Sequence, residues 1–196
     1  MSNVYSDFWA VKGWENTLEQ LNCKVDVVFF GNSITYWGTF SQAFPAKKVA
    51  NLGYPGDDLD GMIRRVEAIK AVNPDQVFVM AGINGLRDMP LVDFSFKYSR
   101  LVDSIARAVP FARIYLQSIL PVSWCKEQQR GSNIKIKDAN MLISNIAKSN
   151  SYTYIDLFSL YASNEVMPDS LTFDGIHLRR EAYARWFDKL KSFIGN

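Results

Sequence analysis

The sequence predicts an α/β protein built on a parallel β-sheet with helices on both faces. Five short runs of β-branched, aliphatic and aromatic residues are nearly continuous in hydrophobicity, which is typical of strands buried on both faces. Segments with apolar residues three and four positions apart lie between these runs and indicate amphipathic helices. Alternation of this kind, with right-handed crossovers, predicts a doubly wound sheet.

The elements follow one another along the whole chain without a linker, a repeat or a low-complexity tract. The predicted strands are Val25–Phe30, Lys48–Leu52, Gln76–Ala81, Ala112–Ser118 and Thr153–Leu157. The predicted helices are Phe8–Leu21, Leu59–Val72, Phe94–Val109, Ile134–Ser149 and Glu181–Ile194. We therefore expect residues 1–196 to form one domain, in which residues 1–24 are an N-terminal helical segment packed on the core.

The composition gives no reason to expect a nucleic acid or a membrane as partner. The 22 basic and 20 acidic residues leave a net charge of +2, and no apolar stretch approaches the ~18 residues of a membrane span. The N-terminus lacks the basic head and apolar run of a signal peptide, so we expect a cytoplasmic protein if the chain is complete. A secreted or periplasmic protein is expected if a leader has been removed. The sequence does not predict the oligomeric state.

The two cysteines, Cys23 and Cys125, match no metal-binding spacing. A chain of 196 residues buries enough apolar surface to fold without a disulfide, so two free thiols are the favoured interpretation. One disulfide between them remains the alternative.

The residues that directly follow the predicted strands are the first candidates for a functional site. In open α/β sheets, ligands bind at the carboxyl ends of the strands, near the point where the strand order reverses. Gly31, Asn32 and Ser33 follow the first strand, so Ser33 places a hydroxyl at this edge. Such a serine is either a nucleophile or the N-cap of the next helix, and this segment alone does not decide between them.

Two further segments offer groups that stabilise a developing negative charge. Gly53 and Gly56 allow the chain to turn sharply after the second strand and to expose N–H groups. Such N–H groups at a helix start bind anions, including the oxyanion of acyl transfer. Asn84 follows the third strand and offers its side-chain amide to the same oxyanion. The alternatives are a plain turn capped by an aspartate, and an asparagine in a left-handed turn.

His177 is the only histidine of the chain and precedes the last predicted helix. Imidazole is the usual general base near neutral pH because it ordinarily titrates near ~6.5. Asp174 lies three residues earlier, close enough to orient the ring. The alternative is a surface histidine that caps the last helix. Taken together, the four segments match one mechanism, in which a nucleophile, two oxyanion donors and an oriented base act on an acyl group.

These four segments resemble the conserved blocks of the SGNH hydrolases, also called GDSL-like esterases and lipases. The blocks follow in the family's order from about residue 25 to the end of the chain. They correspond to Val28–Ile34, Asn51–Asp57, Gly82-Ile83-Asn84 and Asp174–His177. The single-domain pattern is most similar to the bacterial acetylesterases and to members like platelet-activating-factor acetylhydrolase.

The resemblance implies a role for each matched residue. Ser33 corresponds to the family's nucleophile, His177 to its base and Asp174 to the acid that orients the base. Gly56 and Asn84, with the backbone N–H of Ser33, correspond to the oxyanion hole. Gly53 would serve the turn.

The resemblance also implies a flavodoxin-like three-layer α/β/α fold with five parallel strands in the order 2-1-3-4-5. It implies no cofactor, no metal and a small-molecule ester as substrate. A short acyl group, acetyl on a carbohydrate, is the expected substrate, and a lysophospholipid or other lipid ester is the alternative. Asn32, Tyr54 and Trp124 are expected to contact the substrate.

The chain departs from the family pattern at two positions. Asn32 and Gly85 stand where the family usually has an aspartate, and neither position carries a direct catalytic role. A first rival hypothesis is a non-catalytic binding domain on the same fold, with Gly85 marking decayed chemistry. A second is a signalling domain that uses Asp57 and Asp58 as a metal or phosphate-accepting site. Fold alone does not separate these functions.

Overall fold

A parallel sheet of five strands organises the computed structural model, which describes residues 24–126 and 132–195. The strands are β1 (Val27–Gly31), β2 (Val49–Gly53), β3 (Gln76–Met80), β4 (Arg113–Gln117) and β5 (Thr153–Ile155). They lie in the order β2-β1-β3-β4-β5, and every pair is parallel. The predicted α/β class and the strand order 2-1-3-4-5 are confirmed.

Eight α-helices flank the sheet within the described part of the chain. They are α1 (Ser33–Tyr36), α2 (Phe40–Ala43), α3 (Leu59–Arg64), α4 (Glu67–Val72), α5 (Leu91–Ala108), α6 (Asn133–Ser149), α7 (Phe158–Tyr161) and α8 (Tyr183–Ile194). Short 3-10 turns cover Trp124–Lys126, Asp169–Leu171 and Arg180–Ala182. The sequence did not predict α1, α2 and α7, because four residues are too few to show a helical period.

The predicted helix over Leu59–Val72 is wrong in one respect, because the chain forms two helices there. At Arg65 and Val66 the backbone N–H groups bond to carbonyls three residues earlier, which interrupts the α-helical pattern. Arg65 is only 6% exposed although it is charged. Its side chain reaches back to the ends of two strands, a tertiary contact that helical periodicity does not encode.

One face of the sheet carries a row of aromatic rings. Phe29, Phe78 and Tyr115 are register partners on β1, β3 and β4, and their rings stack in sequence. Phe40 stacks on Phe29 from α2, and Trp186 of α8 meets Phe40 edge-on. These apolar contacts hold the C-terminal helix against β1, the strand that precedes Ser33.

The register aligns the carboxyl ends of the central strands. Gly31 at the end of β1 pairs with Gly53 of β2 on one side and with Met80 of β3 on the other. The loops that follow these three strands therefore leave the sheet at one edge and at one level. This is the edge where the strand order reverses, as the sequence predicted for the functional site.

Some sequence predictions fall outside the described residues and stay predictions. The helix Phe8–Leu21, most of the N-terminal segment 1–24, and Cys23 belong to this group. Cys125 carries a free thiol in the structure. Within residues 24–126 and 132–195, no helix has the length and apolar character needed to cross a membrane.

Candidate active site

Three side chains from the two ends of the described chain form one hydrogen-bonded row at the carboxyl edge of the sheet. The Oγ atom of Ser33 lies 2.8 Å from Nε2 of His177, across 144 positions of sequence. The Nδ1 atom of the same ring lies 2.6 Å from Oδ2 of Asp174. All three residues are partly buried, so solvent and a small substrate both have access to them. In this order the groups are able to pass a proton from the hydroxyl to an imidazole that a carboxylate orients.

Ser33 is held by the start of α1, which follows β1 after a single residue. Asn32 occupies the N-cap, and its Oδ1 accepts a hydrogen bond from the Ile34 N–H at 2.9 Å. From the other end of the chain, the hydroxyl of Tyr183 donates to the Ile34 carbonyl at 2.7 Å. Gly53 lets β2 approach this helix, because a Cβ atom there would lie 2.2 Å from the Tyr36 nitrogen.

The loop that carries His177 is held by its own hydrogen bonds. The hydroxyl of Thr172 donates to the His177 carbonyl and accepts from the Gly175 N–H, and Thr172 is buried. Gly175 has a φ of +88°, and its carbonyl accepts from the N–H of Ser123. These contacts place Asp174 beneath the imidazole before any substrate binds.

The hydrogen bonds at Asp174 favour its charged form. Oδ1 accepts from the N–H groups of Ile176 and His177, at 2.9 and 2.8 Å. Partial burial of the carboxylate opposes ionisation, but the hydrogen bonds from the backbone and the ring of His177 outweigh it and lower the pKa of Asp174. An ionised carboxylate in this position is able to orient an imidazole and to stabilise its protonated form.

A cleft of about 240 Å³ opens beside Ser33 and His177. Gly56 and Asn84, the two residues assigned to the oxyanion hole by resemblance, both line it, together with Trp37, Pro55, Ile83 and Ile176. Gly56 has a φ of +79°, a conformation that favours glycine. The Nδ2 atom of Asn84 donates to the Asp57 carbonyl at 2.8 Å, so the second and third strand-end loops are tied together at the cleft.

The family model for GDSL-like lipases and acylhydrolases matches residues 29–185, which is most of the chain. The chain belongs to the GDSL-like lipase/acylhydrolase family. This membership makes it a carboxylic ester hydrolase, as the sequence predicted. No curated protein sequence matches the chain significantly.

Solved structures of bacterial acylhydrolases and esterases share the fold of this family member. A GDSL-like lipase from Bacteroides thetaiotaomicron superposes with a TM-score of 0.78 and 20% identity, covering 93% of this chain and 96% of its own. A protein described as an acylhydrolase from Bacteroides fragilis gives a TM-score of 0.82 and 21% identity, covering 95% and 96%. A mutant of an acetyl-xylooligosaccharide esterase from Geobacillus stearothermophilus gives 0.69 and 18%, covering 88% and 94%.

The three residues predicted to contact substrate lie in different surroundings. The prediction for Asn32 is wrong, because its side chain is 0% exposed and caps α1 instead. Tyr54 is partly buried and lies against the guanidinium of Arg65, outside the set of residues that line the cleft. Trp124 is 71% exposed and follows Ser123, which bonds to the His177 loop. For Tyr54 and Trp124, contact with substrate stays a prediction.

The acidic pair of the signalling hypothesis is engaged within the structure. Asp57 forms a salt bridge with Arg65 at 2.6 Å, and Asp58 caps α3 by accepting from the Gly61 N–H. Burial raises the pKa of Asp57 and lowers that of Arg65, and in each case the attraction of the partner opposes the shift. Across residues 24–126 and 132–195, no group of three His, Cys, Asp or Glu side chains is placed to hold a metal ion.

Sequence reasoning missed four residues that shape the site: Asn51, Arg65, Thr172 and Tyr183. Asn51 donates to the carbonyls of Thr35 and Gly38, which ties β2 to the segment after Ser33. A signal for Arg65 was present in the sequence. It stands three residues after Met62 and four before Ile69, both on the apolar face of the predicted helix, where a charged residue is unusual.

Proposed function

We propose that this family member is a serine esterase that removes a short acyl group, acetyl in the first instance, through an acyl-enzyme on Ser33. The observation that carries the proposal is the row from the Ser33 hydroxyl through His177 to the Asp174 carboxylate. It supplies a nucleophile, a base and an orienting acid within hydrogen-bonding distance of one another.

In the proposed mechanism, the Ser33 oxygen attacks the ester carbonyl carbon while His177 takes the hydroxyl proton. The tetrahedral oxyanion is stabilised by the N–H groups of Ser33 and Gly56 and by the amide of Asn84. His177 then gives its proton to the leaving alcohol as the bond from carbon to the alcohol oxygen breaks. Water repeats the two steps on the acyl-enzyme and releases the acid.

The size and rim of the cleft support a small acyl group on a ring-shaped alcohol. The volume of about 240 Å³ lies below the ~300–1,000 Å³ that is usual for sites of drug-sized ligands. Trp37 lines the cleft and is 59% exposed, and Phe173, which is 60% exposed, stacks its ring on that of His177. Exposed aromatic faces suit the apolar faces of sugar rings. Among the structural neighbours, the acetyl-xylooligosaccharide esterase acts on a substrate of this class.

Hydrolysis of p-nitrophenyl acetate by Ser33→Ala tests the nucleophile. We expect turnover to disappear while the far-ultraviolet circular dichroism spectrum stays that of the wild type. Ser192→Ala is the matched control, because Ser192 lies near the end of α8. The carbonyl of the neighbouring Phe193 accepts a hydrogen bond from Gln76, at the edge of the sheet opposite the site. A fluorophosphonate probe should label the wild type and the control but not Ser33→Ala. Labelling or turnover that survives in Ser33→Ala contradicts the proposal.

A series of esters tests the substrate class. We expect kcat/KM to be highest for acetyl esters and to fall as the acyl chain lengthens, and acetylated sugars to be better substrates than acetylated aliphatic alcohols. Trp37→Ala should raise KM for the acetylated sugars more than for p-nitrophenyl acetate. A kcat/KM that rises with chain length, or preference for a lysophospholipid, would favour the lipid-ester alternative.

A further inference from the structure

We propose that Arg65 is a positioning residue for the oxyanion hole, which it holds in place through Asp57. This inference rests on the proposed function, because it assigns a role within the same reaction. Neither residue touches the reacting atoms of an ester in the cleft, and neither lines it. Their effect is carried by the loop between them.

Arg65 joins three parts of the site with one guanidinium group. Nη1 donates to the Leu52 carbonyl on β2 at 3.1 Å, and Nη2 donates to the Gly31 carbonyl at the end of β1 at 3.3 Å. Nε and Nη2 both donate to Oδ2 of Asp57, at 2.8 and 2.6 Å. The ring of Phe30 lies under the group, 4.8 Å from its central carbon. The planar fork of an arginine makes these contacts together, and a lysine has no equivalent geometry.

Asp57 connects Arg65 to both predicted oxyanion donors, Gly56 and Asn84. It directly follows Gly56, so a movement of the Asp57 peptide also turns the Gly56 peptide. Its carbonyl accepts the hydrogen bond from Nδ2 of Asn84, and its N–H closes the turn to the Tyr54 carbonyl at 3.3 Å. The carboxylate of Asp57 is therefore bound to Arg65 at the strand ends, while its backbone is bound to Asn84, a residue that lines the cleft.

Stability alone does not account for an ion pair in this place. The side chains of Arg65 and Asp57 are 4% and 8% exposed, so both charges have lost most of their hydration. Apolar pairs of similar volume often replace such buried ion pairs with equal or better stability. An apolar pair cannot reproduce the geometry of the Arg65–Asp57 contact, since only directed hydrogen bonds set the orientation of the loop.

The double variant Arg65→Met/Asp57→Leu separates positioning from stability. We expect its denaturant midpoint to fall less than that of Arg65→Met alone, because the double variant leaves no unpaired charge in the interior and loses only the hydrogen bonds to the Leu52 and Gly31 carbonyls. Its kcat for p-nitrophenyl acetate should nevertheless fall by roughly 10- to 100-fold, since displacement of catalytic groups by ~1 Å has effects of this size. KM should change little. Inhibition by a trifluoromethyl ketone, which forms a tetrahedral adduct with serine, should weaken by a similar factor.

Two further variants keep the test decisive. Arg65→Lys should also lower kcat, but by a smaller factor than the double variant. It tests the inference if the double variant does not fold. Gln76→Leu is the matched control, because Gln76 is a buried polar residue at the amino edge of the sheet that donates to Tyr115 and to the Phe193 carbonyl. It should lose stability and keep the wild-type kcat.

The outcomes distinguish this inference from the proposed function. Wild-type kcat and inhibitor affinity in folded Arg65→Lys and in the folded double variant would overturn the positioning role while leaving the esterase intact. A loss of kcat in Gln76→Leu as large as in the Arg65 variants would also overturn it, because instability would then explain both. A wild-type protein that hydrolyses no ester would overturn the proposed function and the inference with it.

Discussion

Substitution by phenylalanine should change the free energy of unfolding in opposite directions at two buried tyrosines, Tyr98 and Tyr183. The hydroxyl of Tyr183 donates to the Ile34 carbonyl at 2.7 Å, and the residue is 4% exposed. Tyr98 is 0% exposed, and its hydroxyl has no hydrogen-bond partner among residues 24–126 and 132–195. Each substitution removes one oxygen atom and leaves the ring unchanged, so the sign of the effect depends on the partner alone.

The magnitudes follow from the cost of burying polar groups. Tyr183→Phe removes a hydrogen bond and leaves the Ile34 carbonyl without this donor, which should lower the free energy of unfolding by about 1–3 kcal/mol. Tyr98→Phe removes a buried hydroxyl that no hydrogen bond compensates, and protein mutational data put that cost at about 1–3 kcal/mol. We therefore expect Tyr98→Phe to raise the free energy of unfolding, by ~1 kcal/mol or more.

Urea unfolding followed by tryptophan fluorescence measures both effects. The two variants should differ by at least about 2 kcal/mol, with the same dependence of free energy on urea concentration. For a chain of 196 residues this corresponds to a difference in Tm of about 4 °C or more. Burial raises the pKa of both phenols above the ordinary value, so both hydroxyls are protonated at about pH 7 and ionisation does not enter the comparison.

The activity of the two variants provides a second measurement. Ile34 follows Ser33 in α1, so Tyr183→Phe should also lower kcat, whereas Tyr98→Phe should leave it unchanged. Destabilisation of both variants, or of Tyr98→Phe alone, would refute the reasoning. It would mean that the hydrogen-bond partner of the hydroxyl does not decide the sign of the change in the free energy of unfolding.

Three other perturbations test the parts that hold the site. Asn32→Ala removes the side-chain bond to the Ile34 N–H and should cost about 0.5–2 kcal/mol in urea unfolding; an unchanged midpoint would contradict the capping role. Gly53→Ala would place a Cβ atom 2.2 Å from the Tyr36 nitrogen and should lower both Tm and kcat, so an unaffected variant would show that β2 and α1 separate freely. Because the pKa of Asp174 is lowered in the folded state, its charge stabilises the fold above about pH 4, the ordinary aspartate value, and this stability is lost as the pH falls through the folded value. Asp174→Asn should therefore be less stable than the wild type at neutral pH, and the difference should shrink in acid; a difference that is independent of pH would argue against this linkage.

The sequence by itself determined the fold class and the location of the candidate site. Strand-like runs that alternate with helical periods predict a parallel sheet, and the carboxyl ends of parallel strands meet at one edge. Ser33, Gly56 and Asn84 each follow a strand, so a parallel sheet places them at one edge, and the strand order implied by the family resemblance brings them to one cleft. The departures at Asn32 and Gly85 were visible in the sequence too, although the burial of Asn32 was not.

Only the tertiary structure decided which polar groups hold these residues in place. The bond from Tyr183 to Ile34 joins residues 149 positions apart, and Arg65 reaches a carbonyl 34 positions away. Local periodicity reports which side of an element is buried, but not which distant group shares that interior. The break of the predicted helix at Arg65 and the burial of Asn32 have this same cause: a polar group inside the protein adopts the geometry that its partners allow, and the folded chain supplies the partners.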